Sequence, residues 1–282
     1  MSRAFRVIDT GVREGRANIA FDQALIEAHK AGQVPDTIRF LRFPPTALIG
    51  RHQALSQELK LDHCRENGIG VVRRITGGGA IYFDEGQLGW ELAFGRTTLG
   101  ISTLAELTRA ICEAAAQGIS ALGVDAKYRP RNDIEVEGRK LCGTGGFFDG
   151  DTLFYQGTLL IDMDPADMVA ALRVAEAKLA KRDLDSAAER VVTLRQLLGE
   201  ALPDLPAIQE AMLGGFAEGL GIEAADLIHA CRVSVTGKHA SPGIFEVLEL
   251  MGRENTRVRL DRMIRYLTKV KTAQAAHISA AN

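Results

Sequence analysis

Residues 65–84 read RENGIGVVRRITGGGAIYFD, and the fold turns on how this stretch is read. Three consecutive glycines, Gly77, Gly78 and Gly79, expose backbone N–H groups that a ligand can approach without side-chain interference. An anionic ligand suits such a loop. Arg73 and Arg74 precede it on a strand, so one side chain points to the core face and the other outward, and a planar guanidinium fits phosphate. VVRRI, TGGG and AIYF read as a hairpin built around glycines, followed by the strand QLGWELAF. Taken alone, the stretch reads equally as a glycine hairpin with solvated arginines. No G-x-x-x-x-G-K-[ST] loop and no G-x-G-x-x-G fingerprint occurs anywhere in the chain.

A second constellation lies downstream, RNDIEVEGRKLCGTGG over residues 131–146. Its strands carry turn signals at Glu137-Gly138 and Asp149-Gly150-Asp151, and the next strand is TLFYQGTLLID. Asp133 can hold a magnesium ion on a nucleotide, and Lys140 can set a cation against the oxygens of an acyl phosphate. As plain structure, Asp133 caps a turn and Lys140 is a solvated strand residue.

Upstream, NIAFDQALIEAHKAG predicts an early helix with Asn18 as its cap and Gly32 as its stop. TIRFLRF and PPTALIG read as strands, and QELKLDHCRENGIG as a helix ending at Gly68. Leu104, Leu107, Ile111, Ala114, Ala115 and Ile119 mark a buried helix capped by Ser102 or Thr103. After Pro165 the text turns to helical patterns, among them DMVAALRVAEAKLA, VTLRQLLGEAL, AIQEAMLGGFAEGLG and RVRLDRMIRYLTKV. Strands before Asp162 and helices after it predict an α+β fold, with mixed or antiparallel sheets flanked by helices and a mainly helical C-terminal section. The organisation expected is a catalytic domain over residues 1–240 and a short helical extension over 241–282, with 236–243 a flexible junction.

Composition narrows the function. With 34 basic against 36 acidic side chains, the net charge of -2 gives no global pull toward nucleic acid or an anionic membrane. No signal-peptide core or membrane span is legible, so a cytoplasmic location is expected. The four cysteines, Cys64, Cys112, Cys142 and Cys231, form no C-x-x-C pair and read as reduced thiols.

The ordered motifs resemble the lipoate-protein ligases, within the wider group of biotin-protein ligases and octanoyltransferases. Gly50-Arg51-His52-Gln53 is similar to the family's GR-x-Q block and residues 65–84 to its arginine-glycine motif. Residues 131–146 resemble its RND and G-[RK]-K segment, QGTLLID its following strand, and Arg190-Val-Val-Thr-Leu194 its RV-x-x-L segment. The resemblance covers roughly residues 5–200. It implies a biotinyl/lipoyl ligase-like catalytic domain that activates lipoate with ATP to lipoyl-AMP and passes the acyl group to a lysine of a lipoyl-domain acceptor protein. A carboxylate is a poor electrophile that needs activation, and the adenylate must be kept from water until an amine arrives. By the same resemblance, Lys140 is the catalytic lysine. Arg51, Arg73, Arg74, Gly77, Gly78, Gly79, Asn132, Gly143 and Thr144 bind substrate or adenylate, and Asp133 holds Mg2+ through the nucleotide. The lipoyl chain is expected in an apolar tunnel.

The sequence also departs from that pattern. Phe83 stands where family members commonly carry histidine, Gln156 precedes Gly157 where histidine is common, and Cys142 occupies a position where many ligases have serine. Cys142, two residues from Lys140 on one strand face, supports an alternative: an ATP-independent octanoyl or lipoyl transferase working through a cysteine thioester. A non-catalytic acyl-cofactor binder is a further alternative, motivated by Phe83. Longer ligases carry an accessory domain, whose place a separate accessory chain can take. The basic run Arg253, Arg257, Arg259, Arg262, Arg265, Lys269 and Lys271 can steer an acidic acceptor or serve as a solvated helix face.

Overall fold

The computed structural model describes residues 4–173, 190–222, 233–238 and 244–280. Helix α1 (Gly15–Lys30) is followed by strands β2 (Thr37–Arg42) and β3 (Thr46–Ile49), with β1 (Arg6–Val12) ahead of it. Two short helices, α2 (Leu55–Glu58) and α3 (Leu61–Glu66), lead to β4 (Gly70–Arg73), β5 (Ile81–Phe83) and β6 (Gln87–Gly95). Helix α4 (Leu104–Ser120) precedes β7 (Lys127–Arg129), β8 (Asp133–Val136), β9 (Arg139–Asp149) and β10 (Thr152–Leu160). Helices α5 (Pro165–Ala171), α6 (Leu194–Leu198), α7 (Leu205–Leu220) and α8 (Ile244–Ala280) complete the described chain, α8 being broken by Gly252 at φ 70°. Of the expected helix DMVAALRVAEAKLA, α5 ends at Ala171 and residues 174–189 lie outside the described residues, as do 239–243 of the expected junction and Cys231.

Among the described residues the strands form two sheets, one ordered β1-β2-β6-β10-β9-β8-β7 and one ordered β4-β3-β5. This is the expected α+β arrangement. Period-two alternation gives the large sheet two chemically different faces. Ile38, Phe40, Leu88, Trp90, Leu92, Phe94, Leu153, Tyr155 and Leu159 pack on α4 and α7 in the main core. Those helices approach so closely that a Cβ on Gly215 would stand 2.4 Å from the Ala114 carbonyl oxygen. The opposite face carries the in-between residues, Arg39, Gln87, Gly89, Glu91, Gln156 and Thr158, and lies under α1 and the small sheet.

Three local expectations are corrected. The glycine stretch is not a hairpin: β4 and β5 never pair with each other but flank β3, parallel on one side and antiparallel on the other, so residues 74–80 cross over the end of β3. The single helix expected before Gly68 is two, because β-region backbone at Leu59 separates α2 from α3. Asn18 does not cap α1, which begins at Gly15 behind Glu14; Asn18 is buried, and its amide donates to the Arg13 and Arg42 carbonyls. Gly32 does terminate the helix at φ 66°. Thr103 caps α4 as expected, accepting from the Glu106 N–H.

Candidate active site

The two arginines ahead of the glycine loop hold different pieces of the site, Arg73 the GRHQ block and Arg74 the loop itself. Arg73 Nη1 donates to the carbonyls of Gly50, Arg51 and Gln53, at 3.1, 3.1 and 2.7 Å. Arg74 is buried rather than solvated, and its Nη2 donates to the Gly77 and Gly79 carbonyls at 2.8 and 2.7 Å while Nε donates to Thr76 Oγ1 at 3.1 Å. With its carbonyls tied back, the loop keeps its donors free: the N–H groups of Gly77, Gly78 and Gly79 have no partner among the described residues. Arg74 also has no carboxylate partner among those residues, and burial lowers its pKa to about 10, so it remains a cation at neutral pH. An unbalanced buried cation beside three free N–H groups is an anion site.

The GRHQ block is the seat of this loop. Gln53 Oε1 accepts from the Gly50 N–H at 2.8 Å, and the Arg51 N–H donates to the Thr76 carbonyl at 2.9 Å. Gly50 is required for the approach, since a Cβ there would lie 2.1 Å from the Gly78 carbonyl oxygen. Arg51 contributes to the site through its backbone, and its side chain is exposed.

Lys140 reaches the same space through an irregularity in β9. Ile134 pairs with Cys142 and Glu135 with Lys140, leaving Leu141 unmatched, so the register slips by one residue. Leu141 and Cys142 are consequently both buried, and Lys140 turns to the other face. The expectation that Lys140 and Cys142 share a strand face is thus corrected. Lys140 Nζ pairs with Asp133 Oδ1 at 2.7 Å and lies over Gly143, where a Cβ would meet it at 2.7 Å. The Arg190–Leu194 segment fixes the slipped register: the Lys140 N–H donates to the Arg190 carbonyl at 2.8 Å, and the Val192 N–H to the Lys140 carbonyl at 2.9 Å.

A cavity of about 590 Å³ joins these parts, within the range of small-molecule sites. Arg74, Gly77, Gly78, Gly79, Asn132, Lys140, Gly143 and Thr144 line it. Arg51, Arg73 and Asp133 are not among its lining residues. Asn132 and Thr144 form one unit, Asn132 Nδ2 donating to the Thr144 carbonyl at 2.7 Å and the Thr144 N–H to the Asn132 carbonyl at 2.9 Å. Residues not anticipated from sequence also line the cavity: Thr76, Tyr82, Gln156, Thr158, Met163 and Val191. Gln156 Nε2 donates to Thr76 Oγ1 at 3.0 Å, tying the large sheet to the glycine loop. Its cue in the sequence is the QGTLLID motif itself. A separate depression of about 610 Å³ beside β7 takes Glu135, Val136, Glu137 and Gly138 from the second motif but none of the candidate site residues.

The chain matches the model of the lipoyl protein ligase A/B catalytic domain over residues 14–217. It belongs to that family. The chain is 30% identical over 243 residues to octanoyltransferase LipM of Kyrpidia tusciae, covering 78% of this chain and 88% of that protein. It is also 30% identical to lipoate-protein ligase LplJ of Bacillus subtilis, covering 68% of this chain and 56% of that one. Among solved structures, the bi-partite lipoate protein ligase of Thermoplasma acidophilum superposes with a TM-score of 0.67 at 24% identity, covering 78% of this chain and 84% of that one; this likeness concerns the fold. The relatives thus include both lipoate-protein ligases and octanoyltransferases. The family is therefore a ligase and transferase family, and the choice between the two reactions rests on the site.

For a thioester route the protein needs a reachable thiolate. Cys64, Cys112 and Cys142 are all buried, and burial raises each thiol, that of Cys142 to about 12. Cys142 sits between Trp90 and the strand backbone on the core face. For magnesium, no group of three or more potential ligands exists among the described residues. A lone carboxylate at Asp133 still fits a Mg2+ whose other ligands are phosphate and water, as is usual for that ion. Among the described residues no helix is long and apolar enough to cross a membrane.

Proposed function

We propose that this protein is an ATP-dependent lipoate-protein ligase, acting in the cytoplasm on a lysine of a lipoyl-domain acceptor protein. The observation that carries this reading is the convergence on one cavity of an unbalanced cationic glycine loop and Lys140, while the three described cysteines are buried and none of them lines it. In the first step the lipoate carboxylate attacks the α-phosphorus of ATP, forming the mixed anhydride lipoyl-AMP and releasing pyrophosphate. In the second, the acceptor amine attacks the acyl carbonyl, an amide forms, and AMP leaves with its electron pair as the amine loses a proton. Arg74 and the Gly77–Gly79 N–H groups bind phosphate oxygens. Lys140 offsets charge that grows on the α-phosphate in the first step and on the carbonyl oxygen in the second. Asp133 holds Lys140 and would hold Mg2+, which supplies charge neutralisation on the departing pyrophosphate. Asn132, Gly143 and Thr144 form the floor beneath the adenylate.

The catalytic unit spans residues 1–240, with α8 an extension. The Thermoplasma structure, described as a bi-partite ligase with its E2 lipoyl domain, supports such an acceptor and a separate accessory chain. A second reading, octanoyl transfer without ATP, is favoured by one fact: the chain spans 88% of the LipM relative but 56% of LplJ. Purified protein given lipoate, Mg-ATP and apo lipoyl domains separates the two. ATP-dependent acceptor modification with pyrophosphate release supports the ligase, and modification only from an octanoylated carrier supports the transferase.

A further inference from the structure

A chain of hydroxyl groups runs from the main core to the cavity floor, and the phosphate chemistry does not use it. It starts at Tyr155 of β10, which is 1% exposed and stacked on Trp90 with ring centroids 6.2 Å apart. Tyr155 Oη stands 2.7 Å from Thr144 Oγ1 of β9. Cys112 of α4 closes a triangle, its Sγ 3.3 Å from each of these oxygens.

The supply of protons gives the chain a direction. A carbonyl only accepts, so Thr144 Oγ1 donates its single proton to the Asn132 carbonyl at 3.0 Å. Tyr155 is therefore the donor to Thr144, with the Cys112 S–H behind them. Burial raises both the Tyr155 hydroxyl and the Cys112 thiol, so each keeps its proton at neutral pH. The Asn132 carbonyl takes a second bond from the Thr144 N–H at 2.9 Å, and Asn132 Nδ2 returns one to the Thr144 carbonyl at 2.7 Å.

The chain ends where the backbone is strained. Because Arg129 pairs with Asp133, residues 130–132 must turn β7 into β8 in three residues, and Arg131 sits at φ 109°. A residue with a Cβ adopts such a conformation only where its surroundings over-determine it. Asn132, which lines the cavity, and Asp133, which pairs with Lys140, come directly after it.

Resting on the ligase reading above, we infer that Tyr155 is a positioning residue: through Thr144 its hydroxyl holds the Arg131–Asp133 turn in its strained form and so sets Asn132 for the nucleotide. Tyr155 itself packs in the core and is not among the residues lining the cavity.

Tyr155→Phe keeps the ring and removes only the hydroxyl. For pyrophosphate release by the full chain, its KM for ATP is expected to rise about tenfold, while lipoate affinity, measured by calorimetry without nucleotide, stays within about twofold of wild type. A mere loss of folded protein would lower kcat and leave KM unmoved. Thr144→Val, which cuts the same chain one bond later and serves should Tyr155→Phe not fold, is expected to match it, and Thr144→Ser, which keeps the hydroxyl, to restore KM. Arg131→Gly frees φ 109° of strain, so in that background the effect of Tyr155→Phe should shrink to about threefold. A KM for ATP in Tyr155→Phe and Thr144→Val within about twofold of wild type would overturn the inference and leave the ligase reading intact. Wild-type protein that releases no pyrophosphate from lipoate and Mg-ATP would overturn both.

Discussion

Lys140 Nζ stands 2.7 Å from Asp133 Oδ1 on the cavity face of β9, although simple alternation along the strand would give it the core face of Cys142. The unmatched Leu141 accounts for the difference. Because both partners are partly solvated, the pair contributes little to stability, about 0–1 kcal/mol. Lys140→Ala is therefore expected to melt close to wild type while pyrophosphate release falls by about 100- to 1,000-fold, the scale for losing one electrostatic stabiliser of a transition state. Wild-type turnover in this variant would remove Lys140 from the mechanism.

Two glycines of the site are expected to respond oppositely to alanine. At Gly50 the new Cβ would meet the Gly78 carbonyl at 2.1 Å, backbone against backbone, so Gly50→Ala should lose about 1–3 kcal/mol of stability and displace the loop. At Gly79 a Cβ meets nothing within 4 Å, so Gly79→Ala should fold normally yet raise KM for ATP by crowding the cavity. Thermal melts and steady-state kinetics on both variants check the contrast, and unchanged KM in Gly79→Ala would place the nucleotide elsewhere.

Much of this site is legible in the sequence. The glycine triplet, Lys140, Asn132 and Thr144 lie in short contiguous motifs, and local motifs survive a reading along the chain. A hairpin is the wrong reading of the glycine stretch because β3, the strand between β4 and β5, comes earlier in sequence, and nothing local announces an interposed strand. The slip at Leu141 is hidden for the same kind of reason: it is defined by pairing with β8 and by the docking of residues 190–192, not by residue type. Asn18 and Asp22 sit four residues apart on α1, a spacing that puts both on one helix face. Their polarity suggests solvent, and only the arrival of Arg39 from β2 makes that face an inward one.

Cysteine chemistry gives an independent check. With Cys142 raised to about 12 by burial, its thiolate is scarce at pH 8 and shielded from reagent. Mass-spectrometric mapping after maleimide treatment of native protein at that pH should find Cys64, Cys112 and Cys142 unlabelled, and Cys142→Ser should retain ATP-dependent lipoylation. Rapid labelling of Cys142, with activity lost in Cys142→Ser, would favour the thioester route.

The buried cluster in which Arg39 Nη1 donates to Asp22 Oδ1 at 2.7 Å and to Glu91 Oε2 at 3.0 Å makes a prediction about pH. A carboxyl whose folded pKa lies above its unfolded value binds its proton more tightly in the native state, so its contribution is complete below the unfolded pKa and is lost as pH rises through the folded one. Asp22 and Glu91 are both raised, Asp22 well above the ordinary range. Their contribution therefore grows as pH is lowered toward the ordinary carboxylate range. The melting temperature of Asp22→Asn, which mimics the protonated acid, should depend less steeply on pH than that of wild type as pH is lowered. Parallel melting profiles would show that Asp22 does not hold the proton.

The most direct test of the central claim follows acceptor mass and pyrophosphate together when the protein is incubated with lipoate, apo lipoyl domain and Mg-ATP, again with ATP omitted, and again with an octanoylated carrier in place of lipoate and ATP. The account predicts one lipoyl group added per acceptor lysine with stoichiometric pyrophosphate, and neither product without ATP. Acceptor modification that proceeds from an octanoylated carrier with ATP absent, and no pyrophosphate under any condition, would contradict it.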